Sequence, residues 1–236
     1  MVENITTTEF DFARGELLLI DKPVGWTSFD VVNKIKFSLR PQRIKVGHAG
    51  TLDPLATGLL IICTGKFTKK LEGFQNEDKV YEGIITLGKT TPSYDLETPF
   101  DGEFPFEHLS EAKIREVAQG FIGVQMQTPP VHSAIKVDGE RVYEKARRGE
   151  EVTLKQRQIE IKSFEITSLD GADIHFRIAC TKGTYIRSIA HDFGKALGSG
   201  AHLSLLRRTV SGDLDVKNAW NLDDLITKIK ALKDQA

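Results

Sequence analysis

Apolar positions along the chain change period several times, and each change marks an element. Leu17 to Ile20 is a short apolar run that reads as a buried strand, ended by the turn chemistry of DKPVGW with its Pro23 and Gly25. Phe29, Val32, Ile35 and Leu39 then recur at helical spacing up to Pro41, and Thr27 with Asp30 three residues on has the pattern of a capping box. Leu59 to Cys63 is wholly apolar, as a strand buried on both faces would be. KVYEGIITLG, from Lys79 to Gly88, is rich in strand formers and puts Tyr81, Ile85 and Leu87 on one face. A helix is predicted from Ser110, with Leu109 and Ile114 placed as a hydrophobic staple and Gly120 as its end. Strands are predicted at Gln158 to Ile166 and at Ile174 to Cys180, where Ile174, Phe176 and Ile178 alternate with polar neighbours. Ile186, Ile189, Ala190, Phe193 and Leu197 return to helical spacing on one stripe, with Gly198 or Gly200 as the stop, and a last short helix runs from about Leu222 to Leu232.

Two stretches fall outside this patterning. Residues 1–14 have little apolar periodicity and are expected to form a flexible arm. From Gln125 to Lys162 the composition turns polar and basic behind Pro129 and Pro130, an excursion from the core that we expect to be mobile over residues 133–150. With 236 residues and 40% hydrophobic content, the remainder is long enough to bury one large core. The expected organisation is an arm at 1–14 and a single domain at 15–236 carrying a thumb-like insertion at about 125–157.

Charge is balanced, 32 Lys+Arg against 33 Asp+Glu, so any polyanion surface has to be local. Basic residues bunch in KFTKK (Lys66, Lys69, Lys70), between Arg141 and Lys162, and at Arg207 and Arg208, a pattern that suits either a solvated face or a nucleic-acid surface. Cys63 and Cys180 end apolar runs and lack zinc-site spacing, which points to structural thiols in a reducing compartment. The N-terminus has no signal-peptide pattern and the apolar runs are too short to cross a bilayer, so a cytoplasmic protein is expected. No exposed heptad or long apolar edge is evident, which favours a monomer.

Candidate chemistry centres on GHAGTLDPLATG, Gly47 to Gly58, where Asp53 is the sole acidic residue. Pro54 disfavours the α region for the residue before it, so Asp53 should be extended with its carboxylate projecting, although Asp-Pro is also an ordinary turn dipeptide. Glycines 47, 50 and 58 permit close approach of backbone or ligand, but the spacing is not that of a P-loop, and GxGxxG and HExxH are absent. A nucleotide hydrolase or zinc protease is therefore poorly supported. Arg187 and Tyr185 fall where a strand gives way to a helix; an Arg there would keep a buried Asp ionised and a ring would sandwich a planar ligand, while the same spacing also suits an exposed Arg187 and a core Tyr185.

GHAGTLDPLATGLL resembles the signature loop of the TruB family of tRNA pseudouridine synthases. The resemblance continues through LLLIDKPVGWTS, YEGIITLG, QTPPVHSAIKVDGERVYEKARRG, KGTYIRSIAHDFG and GAHLSLLRRT, in family order over roughly Gly15 to Leu222. It implies the pseudouridine synthase fold, an α/β fold of the α+β type with a mixed, largely antiparallel central sheet flanked by helices and a basic RNA-clamping insertion. It also implies isomerisation of the T-loop uridine of tRNA, position 55 in tRNA nomenclature, with no metal or organic cofactor, no membrane and no obligate protein partner. Position by position, Asp53 resembles the catalytic aspartate, Tyr81 the tyrosine that stacks on the target base, and Arg187 the arginine paired with the aspartate. Tyr185 resembles the tyrosine beside it, Leu206 a wall of the base pocket, Lys69 a lysine near the site, and His48 the histidine packed against the rearranged T loop. Many family members continue into a PUA-type module, which is not expected here. The carboxylate is open to three roles: nucleophile on the sugar, nucleophile on the base, or base at the ribose 2′ carbon, the last favoured by the resemblance. A non-catalytic tRNA-binding or tRNA-folding protein using the same pocket is the alternative.

Overall fold

The structure is a computed structural model, and it describes residues 10–133, 136–137, 140–141, 148 and 154–234. In chain order the elements are β1 (Leu17–Lys22), α1 (Ser28–Ser38), β2 (Val46–Ala49), β3 (Thr57–Thr64), a 3-10 turn (Gly65–Lys70), α2 (Leu71–Asn76) and β4 (Lys79–Leu87). They continue with β5 (Lys89–Thr90), β6 (Gly102–Glu103), α3 (Glu111–Gly120), β7 (Gly123–Gln127), β8 (Lys136–Val137), β9 (Glu140–Arg141), β10 (Arg157–Asp170) and β11 (Asp173–Cys180). The last are α4 (Ile186–Leu197), β12 (Ala201–Ser211), β13 (Leu214–Asp215), β14 (Trp220–Asn221) and α5 (Leu222–Asp234). The strand order β14–β1–β3–β12–β4–β11–β10–β7, with β2 beside β3 and β13 beside β12, is that of a mixed, mostly antiparallel sheet, the expected class.

By contact density the chain divides into two compact units, Met1–Tyr81 with Arg207–Ala236, and Glu82–Leu206. In the first, β3 is central: it pairs antiparallel with β1 (Ile20 opposite Leu60) and with β2 (His48 opposite Ile62), and parallel with β12 (Thr57 beside Arg207). Every residue from Gly58 to Thr64 is buried, so the continuous apolar run follows from cover on both faces. Leu59 and Ile61 pack with Leu71 and Phe74 of the α2 side, whereas Leu60 and Ile62 lie opposite Ile20 and Leu18 on the other face. In the second unit, β10 and β11 form a long antiparallel hairpin with Phe164 opposite Ile178. An aromatic cluster of Phe121, Phe164, Phe176 and Phe193 joins that hairpin to α3 and α4.

Most predicted elements are present, with instructive differences. The Thr27–Asp30 capping box is fully formed, which starts α1 at Ser28 and leaves Phe29 in its first turn, 64% exposed; the buried stripe is Val31, Val32, Ile35 and Leu39. Gly120 is the last residue of α3 and the cap is Phe121 in a right-handed conformation, whereas α4 does stop at a left-handed Gly198, φ 72°. The eleven-residue β12 was not anticipated, because two consecutive arginines break its apolar alternation. Those arginines are not a solvated patch. Arg207 makes a bidentate pair with Asp21 (2.7 and 2.9 Å), and Arg208 is 1% exposed.

The described part of the N-terminal arm, residues 10–14, is anchored: Phe12 is buried against Phe10 (ring centroids 5.0 Å), and Asp11 caps the turn at Arg14. The expected thumb-like insertion contains β7 and the β8–β9 pair, with Lys136 opposite Arg141. Most of residues 133–150, on which the expected mobility rests, lie outside the described residues. Cys63 and Cys180 are buried free thiols, and burial pushes Cys63 up to about 11. No helix among the described residues is long and apolar enough to cross a membrane.

Candidate active site

Asp53 lies in the loop from Gly50 to Ala56 between β2 and β3, and neighbours on both sides of it are held through their backbone. Arg208 donates from Nη2 to the Gly50 carbonyl (3.0 Å) and from Nε to the Leu59 carbonyl (2.7 Å). The Ser28 hydroxyl, at the start of α1, accepts from the Leu52 N–H (2.9 Å) and donates to the Leu52 carbonyl (3.2 Å). The Pro54 carbonyl accepts from the Gly25 N–H (2.8 Å) and from Lys22 Nζ (3.3 Å). Asp53 closes the turn itself, its carbonyl accepting from the Ala56 N–H (3.1 Å). The turn reading and the functional reading of Asp-Pro are thus compatible: the turn fixes the backbone, and the residue is partly buried.

Glycine is needed at two positions here. Gly50 is left-handed (φ 79°), and a Cβ on it would sit 3.1 Å from Arg208 Nη1. Gly58 (φ 98°) would place a Cβ 2.2 Å from the Arg208 carbonyl, closing the gap that lets β12 approach β3.

Two cations near this loop were not singled out from the sequence as parts of the site. Lys22 is fully buried at the end of β1, donating to the carbonyls of Pro23 (2.9 Å), Trp26 (2.5 Å) and Pro54. Burial lowers it to about 8, partly opposed by attraction to Asp53 and Asp30. Arg208 is the other. The signal for Lys22 was a lysine inside DKPVGW, directly at the end of an apolar strand; for Arg208 it was a charge in apolar alternation.

His48 projects from β2 with its Nδ1 buried and, among the described residues, without a hydrogen-bond partner. Burial, and then the Arg208 charge, lower its pKa below 6.5. The ring is therefore neutral at pH 7, suited to packing on a base. With the native pKa depressed, the unfolded chain binds more protons below about pH 6.5, so stability falls as pH falls through that range. We expect NMR titration of the His48 ring to give a pKa under 6.5, and the loss of stability between pH 7 and pH 5 to be smaller in His48→Gln.

Tyr81 is buried on the inward face of β4, the face predicted for it. Lys69 is exposed on the 3-10 turn, where it lines a cleft with Arg43, Lys45 and Lys66, beyond the end of β2 opposite the Asp53 loop. Arg187, Tyr185 and Leu206 belong to the second unit.

In that unit Arg187 is the second residue of α4 and is buried, not exposed. Its guanidinium faces the equally buried Asp95 carboxylate (Nε to Oδ2 3.6 Å) and donates from Nη1 to the Ser93 carbonyl (3.3 Å). Sequence reasoning missed Asp95. Its setting is a tight polar loop: Thr91 and Ser93 hydroxyls donate to the Asp95 carbonyl, and its carboxylate accepts from the Glu97 N–H (3.0 Å). The preceding Tyr94 is held left-handed (φ 66°) with its ring stacked on His191, one helical turn beyond Arg187 (centroids 4.0 Å). Tyr185 caps α4 and is neither exposed nor core: both its backbone polar groups are bonded by the Gln127 side chain (2.8 and 3.0 Å), and its ring lies under Arg157 (4.6 Å). Leu206 is buried on β12. Among the described residues no group of three His, Cys, Asp or Glu side chains is placed to hold a metal ion.

Residues 36–186 match the family model described as TruB family pseudouridylate synthase (N terminal domain), and residues 187–235 that described as tRNA pseudouridylate synthase B C-terminal domain. The chain belongs to the TruB family. Its relatives within that family include the tRNA pseudouridine synthase B of Flavobacterium johnsoniae, 55% identical over 91% of this chain and 96% of that protein. The tRNA pseudouridine synthase B of Parabacteroides distasonis is 51% identical over 91% of this chain and 93% of its own length. Among solved structures, a chain of a Cbf5-Nop10-Gar1 complex matches with TM-score 0.74 and 31% identity, covering 95% of this TruB-family chain, which spans only 57% of that longer one.

Proposed function

We propose that this enzyme isomerises the T-loop uridine of tRNA, position 55, to pseudouridine, with Asp53 as the base at the ribose 2′ carbon. The observation that carries the reading is the loop itself: a lone carboxylate whose flanking residues are pinned by buried Arg208, Ser28 and Lys22. The reaction breaks the bond between ribose and uracil N1, turns the detached base, and joins ribose to its carbon 5. Asp53 takes the 2′ proton as the N1 bond breaks and the uracil leaves as an anion; carbon 5 then attacks the glycal at carbon 1′ as the proton returns to the 2′ carbon, and the carbon 5 proton is released to water while N1 takes one up. Nothing is added or lost overall.

Extruding the uridine costs roughly a few kcal/mol. Stacking on Tyr81 returns about 1–3 kcal/mol, His48 fills the gap in the T loop, and Leu206, Lys69 and Tyr185 complete the substrate contacts. The family resemblance assigns Arg187, which faces Asp95 here, the role of charge partner that keeps the catalytic aspartate ionised. The enzyme acts in the cytoplasm as a monomer, with residues 15–236 as its catalytic domain and the basic insertion as an RNA clamp. Mapping of pseudouridine in an unmodified tRNA transcript tests this: conversion at position 55 alone is expected. Tight binding with no conversion would instead leave an RNA-folding role.

A further inference from the structure

The cleft that Lys69 lines has a volume of about 360 Å³, and four of its lining side chains are cationic: Arg43, Lys45, Lys66 and Lys69. None of its lining residues is acidic, and none of the four cations makes an ion pair among the described residues. The convergence is built by backbone. The Gly65 N–H donates to the Lys45 carbonyl (2.8 Å), tying the segment before β2 that carries Arg43 and Lys45 to the turn that carries Lys66 and Lys69, and the Thr68 hydroxyl closes that turn on the Gly65 carbonyl (2.9 Å). Gly65 is left-handed (φ 50°), and a Cβ there would lie 2.3 Å from the Ala13 carbonyl, so the anchored arm forms the third wall.

Like charges gathered in a concave site repel one another and focus a positive potential, an arrangement suited to an anion with several charges. From Lys45 along β2 to Gly50 at the start of the Asp53 loop is five residues of extended chain, about 15 Å. A nucleic-acid strand advances roughly 3.4 Å per phosphate along a helix axis. The cleft is therefore too far from Asp53 to hold the phosphate of the target nucleotide and is spaced for phosphates several nucleotides away. We propose that this cleft is a second RNA contact, binding phosphodiester groups of the substrate strand flanking the target uridine. The inference rests on the reading that the Asp53 loop receives a nucleotide.

The test is binding of a labelled T-arm stem-loop to the full chain, followed by fluorescence anisotropy over a salt series. The variants are the triple Arg43→Gln, Lys45→Gln, Lys66→Gln; the charge-keeping Lys45→Arg, Lys66→Arg; and a control triple at exposed Lys34, Lys36 and Lys230. Each lost phosphate contact lowers the magnitude of the log–log salt slope by about 0.7–0.9. The cleft triple should therefore lose about 2 units, while the Arg-substituted protein keeps the wild-type slope and the control triple changes by less than one. A cleft triple with the slope of the wild type or of the control overturns the proposal. So does displacement of RNA by inorganic phosphate at constant ionic strength from the wild type but not the triple, which would make the cleft a free-phosphate site. Conversion assayed on the same RNA separates the two readings: conversion with an unchanged slope in the triple removes only the cleft, whereas a changed slope with no conversion by the wild type removes only the catalytic assignment.

Discussion

Asp53→Asn is expected to lower pseudouridine formation by at least about 10³-fold while changing tRNA affinity little. A positioned general base contributes typically 10²–10⁴-fold, and in the proposed mechanism the carboxylate also carries charge in a drying site. Asn keeps the shape but cannot take a proton. The loop should survive the change, because Gly50, Leu52 and Pro54 are held through their backbone. One electrostatic consequence follows: Asp53 raises the pKa of Lys22, so its removal moves that lysine further below about 8. Release of tritium from carbon 5-labelled tRNA measures turnover, and the loss should appear in kcat with KM nearly unchanged, the pattern of an interaction made only in the transition state. Near-normal tritium release in Asp53→Asn would remove Asp53 from the chemistry.

Elements with one dominant period were legible in the sequence. The β3 run, the α4 stripe and the Thr27–Asp30 box each depend on neighbours a few residues apart, which a sequence displays directly. Phe29 was misplaced because helical spacing gives a stripe but not its phase; the cap sets the phase, and it turned Phe29 outward. β12 was missed for a physical reason, since a buried arginine breaks the apolar pattern unless its partners are known, and those of Arg208 are carbonyls about 150 residues away in sequence. Asp95 was invisible for the same reason: TPSYDLET reads as an ordinary polar turn until α4 brings Arg187 against it. The loop at residues 50–56 was singled out by motif; what holds it, Lys22, Ser28 and Arg208, comes from distant elements and needed the fold.

Arg208→Met should cost about 2–4 kcal/mol of stability and lower turnover by about 10²-fold or more. Two effects oppose each other. Removing a buried cation relieves its desolvation, and apolar replacement of buried ionic groups is often neutral when every partner is replaced as well. Here the partners are the carbonyls of Gly50 and Leu59, which stay behind, and each hydrogen bond to a charged group contributes about 1.5–3 kcal/mol. The unsatisfied carbonyls outweigh the relief. Turnover suffers separately, because the Gly50 end of the Asp53 loop loses its anchor and a misplacement of about 1 Å is enough for 10²-fold. Arg208→Lys should rescue little, since a single ammonium cannot reproduce a fork aimed at two carbonyls. Chemical denaturation measures the first effect and single-turnover kinetics the second. A third readout separates an electrostatic role from packing: Arg208 helps depress the His48 pKa, so in Arg208→Met the His48 titration should move up toward 6.5. A variant with unchanged denaturation midpoint, turnover and His48 titration would show that the loop is held without this arginine.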